Sequence, residues 1–371
     1  MASPSLPRNT VPLTGSRRQY MSLQAGRGLA ALLVVLHHVG LIVGHDPRLW
    51  NHSNIYRWMM GPRLGVVFFF VLSGMVILTA HWKDIDCPSS TRIYLWKRFR
   101  RIYPIYWLVL AFVLVGQCIS VNPQAAPLRN PFVILSNILL VHIHSSSLNL
   151  LVAWTLFHEV MFYTIFAVVI LNKRLGSALL VLWLTTSLLN FGWTTLPENL
   201  CSPLHLLFGM GMVSAWFLRQ RKIPRPGILF VMGSLVFAGS MLYTGWIGQV
   251  NLFVFLSAGL GTALALLGAA AIEKSQWLNI PRWAGFLGEA SYSIYLIHFP
   301  IITIFGRICF RLDSHLHWPV PFWMFLLLCI GTIAGCLLHI FIERPLLSWL
   351  GGLFQPIAPL SNRSVSGVDA T

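Results

Sequence analysis

Apolar residues run through this chain in long blocks, broken by short polar stretches. Blocks at 28–44, 64–80, 103–120, 151–171, 177–193, 203–218, 227–245, 251–272, 286–308 and 320–342 approach the roughly 20 residues that a helix needs to cross a bilayer. The stretch 131–143 is apolar but short. It reads as an interfacial or re-entrant segment, because a full span there would invert everything after it. The pattern predicts an all-α, polytopic integral membrane helix bundle of about ten transmembrane helices. The expected organisation is an N-terminal tail at 1–27, a transmembrane domain at 28–345 and a C-terminal tail at 346–371, with no soluble domain between.

Composition strengthens that reading. Hydrophobic residues make up 56% of the 371 residues and charged residues only 10%, with a mean hydropathy of +0.71. A soluble domain carries roughly a quarter charged residues, so this chain cannot clothe a globular surface. The formal charge of +16 would suit nucleic acid in a soluble protein, but its distribution points to topology. With the N-terminus inside, 20 of the 26 Lys and Arg residues fall on the cytoplasmic side of a ten-helix bundle. The positive-inside rule then places both termini in the cytoplasm. Residues 1–27 do not read as a cleavable signal, since no small-residue cleavage site follows the first apolar run. The six cysteines show neither metal spacing nor a CxxC pair and read as small core residues.

The first span carries unusual chemistry. Arg27 opens it, and His38 lies eleven residues on, about 16 Å deeper at 1.5 Å per residue. Eleven steps of about 100° return to within about 20° of the start, so the two share a helix face. His37 is rotated away. An ionisable group near mid-membrane marks a functional site by default, and a neutral imidazole is the cheapest such group to bury and can exchange a proton near neutral pH.

Arg27, ten intervening residues and His38 resemble the Arg-x10-His signature of the membrane acyltransferase-3 family. Phe69-Phe70-Val71-Leu72-Ser73-Gly74 resembles the family's second-helix motif. Arg98-Phe99-Arg100-Arg101-Ile102-Tyr103-Pro104 resembles its RxxRIYP segment. Trp154-Thr155-Leu156-Phe157-His158-Glu159 together with Phe162-Tyr163 is similar to WSLSVExxFY. Leu287-Gly288-Glu289-Ala290-Ser291-Tyr292-Ser293-Ile294-Tyr295-Leu296-Ile297-His298 is similar to LGxxSYxxYLxH, and Glu343-Arg344-Pro345 fits a common ending. These motifs occur in order across residues 24–345. His158 and Glu289 depart from the family pattern.

The resemblance implies a membrane O-acyltransferase. It implies an acyl-CoA donor, often acetyl-CoA, as a co-substrate, with no permanently bound cofactor. CoA carries several phosphate charges and needs a basic collar, which Arg98 and Arg101 would supply, with Ser73 and Tyr103 in the donor site. The neighbouring Lys97 and Arg100 suit lipid headgroups. Arg27 would bind donor phosphate or orient the site. His38 would act as general base or carry the acyl group, and Glu159 would support its imidazole or align an acceptor. A structural ion pair for Glu159, for instance with Arg63, is the plainer reading.

Trp154, Tyr163 and His298 are expected on the acceptor side or in support of the site. Ser73, beside Gly74, also suits close helix packing, and Tyr292, Tyr295 and Phe299 form a stripe that suits a core. Glu343 and Arg344 read as a terminal ion pair. His142, His144, His158 and His339 lack metal spacing, so no metal site is expected.

The expected acceptor is a sugar hydroxyl of an exopolysaccharide, O-antigen or lipid-linked oligosaccharide. Membrane lipids and polysaccharide assembly machinery are the expected partners, nucleic acid is not, and the expected location is the bacterial cytoplasmic membrane. A macrolide or lipo-oligosaccharide acceptor is an alternative. So is a transporter or flippase for a lipid-linked sugar, which buried polar groups near the midplane would also suit, although no inverted repeat is visible. A non-catalytic partner in an assembly complex is a third reading.

Overall fold

The computed structural model describes residues 20–45, 53–119, 130–141, 148–190, 200–220, 222–275 and 280–352. Arg8, Arg17, Arg18, Arg48, Arg129, Arg221, Arg363, His142 and His144 lie outside the described residues. The chain forms α1 (Met21–His45), α2 (Ser53–Met59), α3 (Gly65–His81), α4 (Pro88–Ile119), α5 (Pro131–Leu139), α6 (Trp154–Leu171) and α7 (Lys173–Leu189). It continues with α8 (His205–Gln220), α9 (Pro226–Ile247), α10 (Leu252–Lys274), α11 (Arg282–Leu316), α12 (Val320–Leu338) and α13 (Arg344–Gly352). No strand occurs among the described residues. The protein is an all-α, multi-pass membrane bundle.

Each apolar block of the sequence is helical over most of its described residues. Eight helical stretches among the described residues are long and apolar enough to cross a membrane; α7 and α8, at 17 and 16 residues, are shorter. Several helices extend well beyond their apolar blocks. The helix around the third block starts at Pro88, so the basic run Arg92–Arg101 is helical and continuous with it. Likewise α1 starts at Met21, which places Arg27 inside the helix. The short apolar stretch forms the nine-residue α5, about 14 Å long and too short to cross. Asn130 caps its first turn by accepting from the Phe132 N–H. Side chains of α4 hold its far end: Tyr106 O–H donates to the Asn137 carbonyl at 2.7 Å and Trp107 Nε1–H to the Ile138 carbonyl at 2.9 Å.

In lipid, apolar side chains gain nothing by hiding from water, so helices associate through close packing and small residues. Two contacts of that kind organise the centre. Gly74 of α3 sits against the backbone of Phe208 on α8, and Gly211 of α8 sits against Val71 of α3, so a side chain at either would strike backbone. Gly28 of α1 lies against Leu287 and Gly288 of α11, and Gly288 lies against the backbone of Gln24. The second contact sets α1 and α11 side by side. Large apolar side chains such as Phe253, Phe325 and Phe341 remain exposed on the outer faces, as a lipid-facing surface requires.

Candidate functional site

Gly28 and Gly288 touch at one end of the α1–α11 contact. Ten residues on, His38 of α1 meets His298 of α11, with ring centroids 5.0 Å apart. Equal spacing along both helices means that the two run in the same direction and stay in step. His298 Nδ1 lies 2.9 Å from the Ile294 carbonyl and must carry its proton there. Its Nε2, 3.1 Å from His38 Nδ1, is then an acceptor. His38 Nδ1–H is shared between this nitrogen and the Val34 carbonyl at 2.9 Å. With both rings neutral, the lone pair of His38 is on Nε2, and a proton taken there leaves a cation already bonded through Nδ1. His37 faces elsewhere: its Nδ1 bonds the Met59 carbonyl at 2.7 Å.

Towards the basic end of the bundle lies a cavity of about 110 Å³, lined by residues of α1, α3, α4, α6 and α11. Arg27, Arg98 and Arg101 all reach it, together with Ser73, Glu159, Tyr163 and Tyr292. The sequence alone separates these charges, because Glu159 falls near the start of the apolar block 151–171, whereas Arg98 and Arg101 precede the block 103–120. The structure puts it level with the guanidiniums, since α4 carries Arg98 and Arg101 into the bundle on ten and thirteen residues of preceding helix. Glu159 Oε1 accepts from the Tyr163 hydroxyl and, at 3.3 Å, from Ser73 Oγ.

The expectation that Glu159 supports the His38 imidazole is therefore corrected. The carboxylate is held by Tyr163 and Ser73, and His298 occupies the position beside His38. Nor does Glu159 pair with Arg63, which is absent from the cavity wall. Phe69 and Tyr295 line the cavity on the side of the histidine pair, with ring centroids 5.7 Å apart. The Tyr295 ring lies 6.1 Å from that of His298. Its hydroxyl meets Thr155 Oγ1 at 2.7 Å and the Val152 carbonyl at 3.0 Å.

Arg98 and Arg101 are held from behind. The guanidinium of Arg98 lies over the rings of Tyr94 and Tyr163, at 5.7 and 5.5 Å. Its Nη2–H points to His81 Nε2 at 3.3 Å, and His81 Nδ1 in turn meets Asp84 at 2.7 Å. Arg101 lies over Tyr292 at 5.6 Å and 3.5 Å from Glu343. Arg27 has no ion-pair partner among the described residues. Three guanidiniums against one carboxylate give the cavity wall a net positive charge, and Arg98 Nε and Arg101 Nη2 are buried without a hydrogen-bond partner.

Tyr103 does not belong to this cavity. It stacks on Phe99 at 5.1 Å and its hydroxyl reaches the Leu139 carbonyl at 3.3 Å, on the face of α4 that holds α5. The RxxRIYP run places Arg98 and Arg101 one turn apart on the cavity side, whereas Tyr103 is two residues past Arg101 and rotated off it. Trp154 backs the site without entering it, packing on Phe70 at 6.3 Å and His158 at 5.9 Å. Tyr292 and Tyr295, which the sequence assigns to a core stripe, line the cavity. Their i, i+3 spacing on α11 was the signal available. Thr155 and Ser291 also line it and carried no signal beyond lying in a motif. Among the described residues, no three His, Cys, Asp or Glu side chains gather as metal ligands.

A family model described as an acyltransferase domain matches residues 21–341. The chain is 28% identical over 295 residues to the exopolysaccharide production protein ExoZ of Rhizobium meliloti, covering 76% of this chain and 89% of that protein. It is 23% identical over 347 residues to the peptidoglycan O-acetyltransferase OatA of Listeria monocytogenes, covering 78% of this chain and half of that longer protein. A third match, 33% identical over 96 residues, is protein 2 in the picA locus of Rhizobium radiobacter, covering 26% of this chain and 44% of that protein. No solved structure matches.

Proposed function

The chain belongs to the acyltransferase-3 family, and we propose that it is a membrane O-acyltransferase that moves an acetyl group from cytoplasmic acetyl-CoA to a sugar hydroxyl beyond the bilayer midplane. One observation carries this reading: Arg27, Arg98 and Arg101 converge on a single cavity at the base of the helix that bears His38. A compact set of guanidiniums suits the phosphates of CoA, which pair bidentately with Arg. The basic end of the bundle is the cytoplasmic side by its charge, and that is where acyl-CoA is available.

Donor phosphates take Arg27, Arg98 and Arg101, and the pantetheine arm extends along α1 and α11 towards His38, past Phe69 and Tyr295. The acceptor comes from the opposite face. His38 Nε2 removes the proton of the attacking hydroxyl as its oxygen bonds the thioester carbon. The C–S bond breaks, an ester C–O bond forms, and the proton held on His38 passes to the departing CoA thiolate. His298 keeps the Nδ1 proton of His38 in place throughout, so that the reactive lone pair stays on Nε2. A variant route, in which His38 carries the acyl group between the two substrates, uses the same atoms.

The acceptor class rests on the relatives. One is named for exopolysaccharide production and one for peptidoglycan O-acetylation, so a surface glycan or its lipid-linked precursor is the proposed acceptor, with the bacterial cytoplasmic membrane as the site of action. The test is acyl transfer from labelled acetyl-CoA by the purified protein in lipid nanodiscs, presented with lipid-linked oligosaccharide. The expected result is alkali-labile label on the glycan, lost in His38→Ala. Equal labelling by wild type and His38→Ala would defeat the mechanism, and no labelling with any acyl-CoA would defeat the donor assignment.

A further inference from the structure

Glu343 is fully buried at the end of a π-helical turn, His339–Glu343, between α12 and α13. The sequence pairs it with its neighbour Arg344, but the structure separates the two. Arg344 Nη2 meets Glu289 Oε2 at 2.5 Å, where both side chains are about half exposed. Glu343 turns inward. Its Oε2 accepts from Ser293 Oγ–H and from His339 Nδ1–H, each at 2.7 Å. Its Oε1 has no hydrogen-bond partner and lies 3.5 Å from Arg101 Nη1. His339, with its proton on Nδ1, offers Nε2 to the Arg344 Nε–H at 3.1 Å. One line of groups therefore runs from the surface to the cavity: Glu289, Arg344, His339, Glu343 and Arg101.

Burying a carboxylate is costly unless it is paired and hydrogen-bonded. Here one oxygen is fully bonded, and the other is left for a guanidinium that also lines the cavity. The separation of 3.5 Å exceeds the roughly 2.7–2.9 Å of a formed charge-assisted hydrogen bond. Glu343 thus attracts and aims Arg101 without consuming its donors, and Arg101 Nη2 remains buried and unpartnered. A bidentate pair would have left the guanidinium with little to offer a ligand. π turns inside helices recur at functional sites, and this one brings His339 onto Glu343, whose carboxylate also meets Ser293.

We propose that Glu343 is a positioning residue for the donor: by holding Arg101 from behind, it sets that guanidinium to receive an anionic group of acyl-CoA. Glu289, Arg344 and His339 anchor Glu343 in turn. The inference rests on the cavity being the acyl-CoA site.

The test measures coenzyme A binding to the purified full-length protein in detergent. Glu343→Gln is expected to weaken the Kd by about tenfold, the loss of one interaction with a charged group, with the number of binding sites unchanged. A merely structural role would reduce the number of competent sites and leave Kd as it is, and that result overturns the proposal. Arg101→Gln and the double variant provide a second check: if Glu343 acts through Arg101, the double binds no more weakly than Arg101→Gln alone, and additive losses overturn it. Should Glu343→Gln not fold, Ser293→Ala removes one bond to the same carboxylate and is expected to weaken Kd about threefold. An unchanged Kd in that variant overturns the proposal. Failure of the wild type to bind coenzyme A defeats the acyl-CoA reading itself, and this inference with it.

Discussion

His298 Nε2 lies 3.1 Å from His38 Nδ1, and each histidine sits ten residues beyond the glycine at which its helix touches the other. The glycine contact and the histidine contact are two points along one parallel helix pair. That pair is the rigid element on which the proposed chemistry depends, because it fixes which nitrogen of His38 is free.

If His298 holds the tautomer of His38, its loss costs turnover and spares donor binding. Loss of His38 is expected to lower kcat by about 10³-fold and His298→Ala by about 10²-fold, within the range of general acid–base catalysis. The double variant is expected to be no worse than His38→Ala, since the two act as a unit. Single-turnover acyl transfer reads all three, and additive losses would separate the roles.

Close approach at Gly288 leaves no room for a side chain, because a Cβ there would run into the backbone of Gln24. Gly288→Val is expected to cost about 1–3 kcal/mol, typical of overpacking, and to abolish transfer by shifting Arg27 and His38 relative to α11. Thermal unfolding in detergent checks the first part. A melting temperature equal to wild type would show that the helices do not pack as described.

Two residues of one motif should part company. Tyr103 faces α5 and lies outside the cavity, so Tyr103→Ala is expected to leave the donor KM within about twofold, whereas Arg101→Ala raises it by about tenfold or more, the scale of a lost charge-assisted bond. Steady-state kinetics against acetyl-CoA decide. A donor KM that rises as far for Tyr103→Ala as for Arg101→Ala would return Tyr103 to the donor site.

Glu159 is the carboxylate that lines a cavity with three arginines. Removing its charge as Glu159→Gln takes away repulsion toward an anionic donor, so KM for acetyl-CoA is expected to fall or hold. If the carboxylate takes part in aligning the reactants, kcat drops by about tenfold or more, as for other positioned acid–base groups. A rise in donor KM with kcat unchanged would mean that Glu159 serves only to order the arginines.

Much of the fold was legible because a bilayer leaves few options. Backbone groups in lipid must bond within their own segment, so long apolar blocks had to be helical, and most of their described residues are. The helix phase of His38 against Arg27 was legible for the same reason: a helix has one period, and it turns His37 towards Met59 and His38 towards α11. The ends of the helices were harder to place. Charged residues at the start of α4 interrupted the apolar block without interrupting the helix, which hid how far Arg98 and Arg101 reach inward.

The sequence by itself determined the membrane class, the helical segments and the residue types that gather near the centre. Pairings between them were a matter of tertiary structure. Glu159 with Ser73, His38 with His298, Glu343 with Arg101 and Arg344 with Glu289 join residues from 55 to 260 positions apart. Local periodicity says which way a side chain leaves its own helix and says nothing of which helix stands opposite. That choice is made by small residues such as Gly28 and Gly288, where two backbones come close enough to bring distant side chains together.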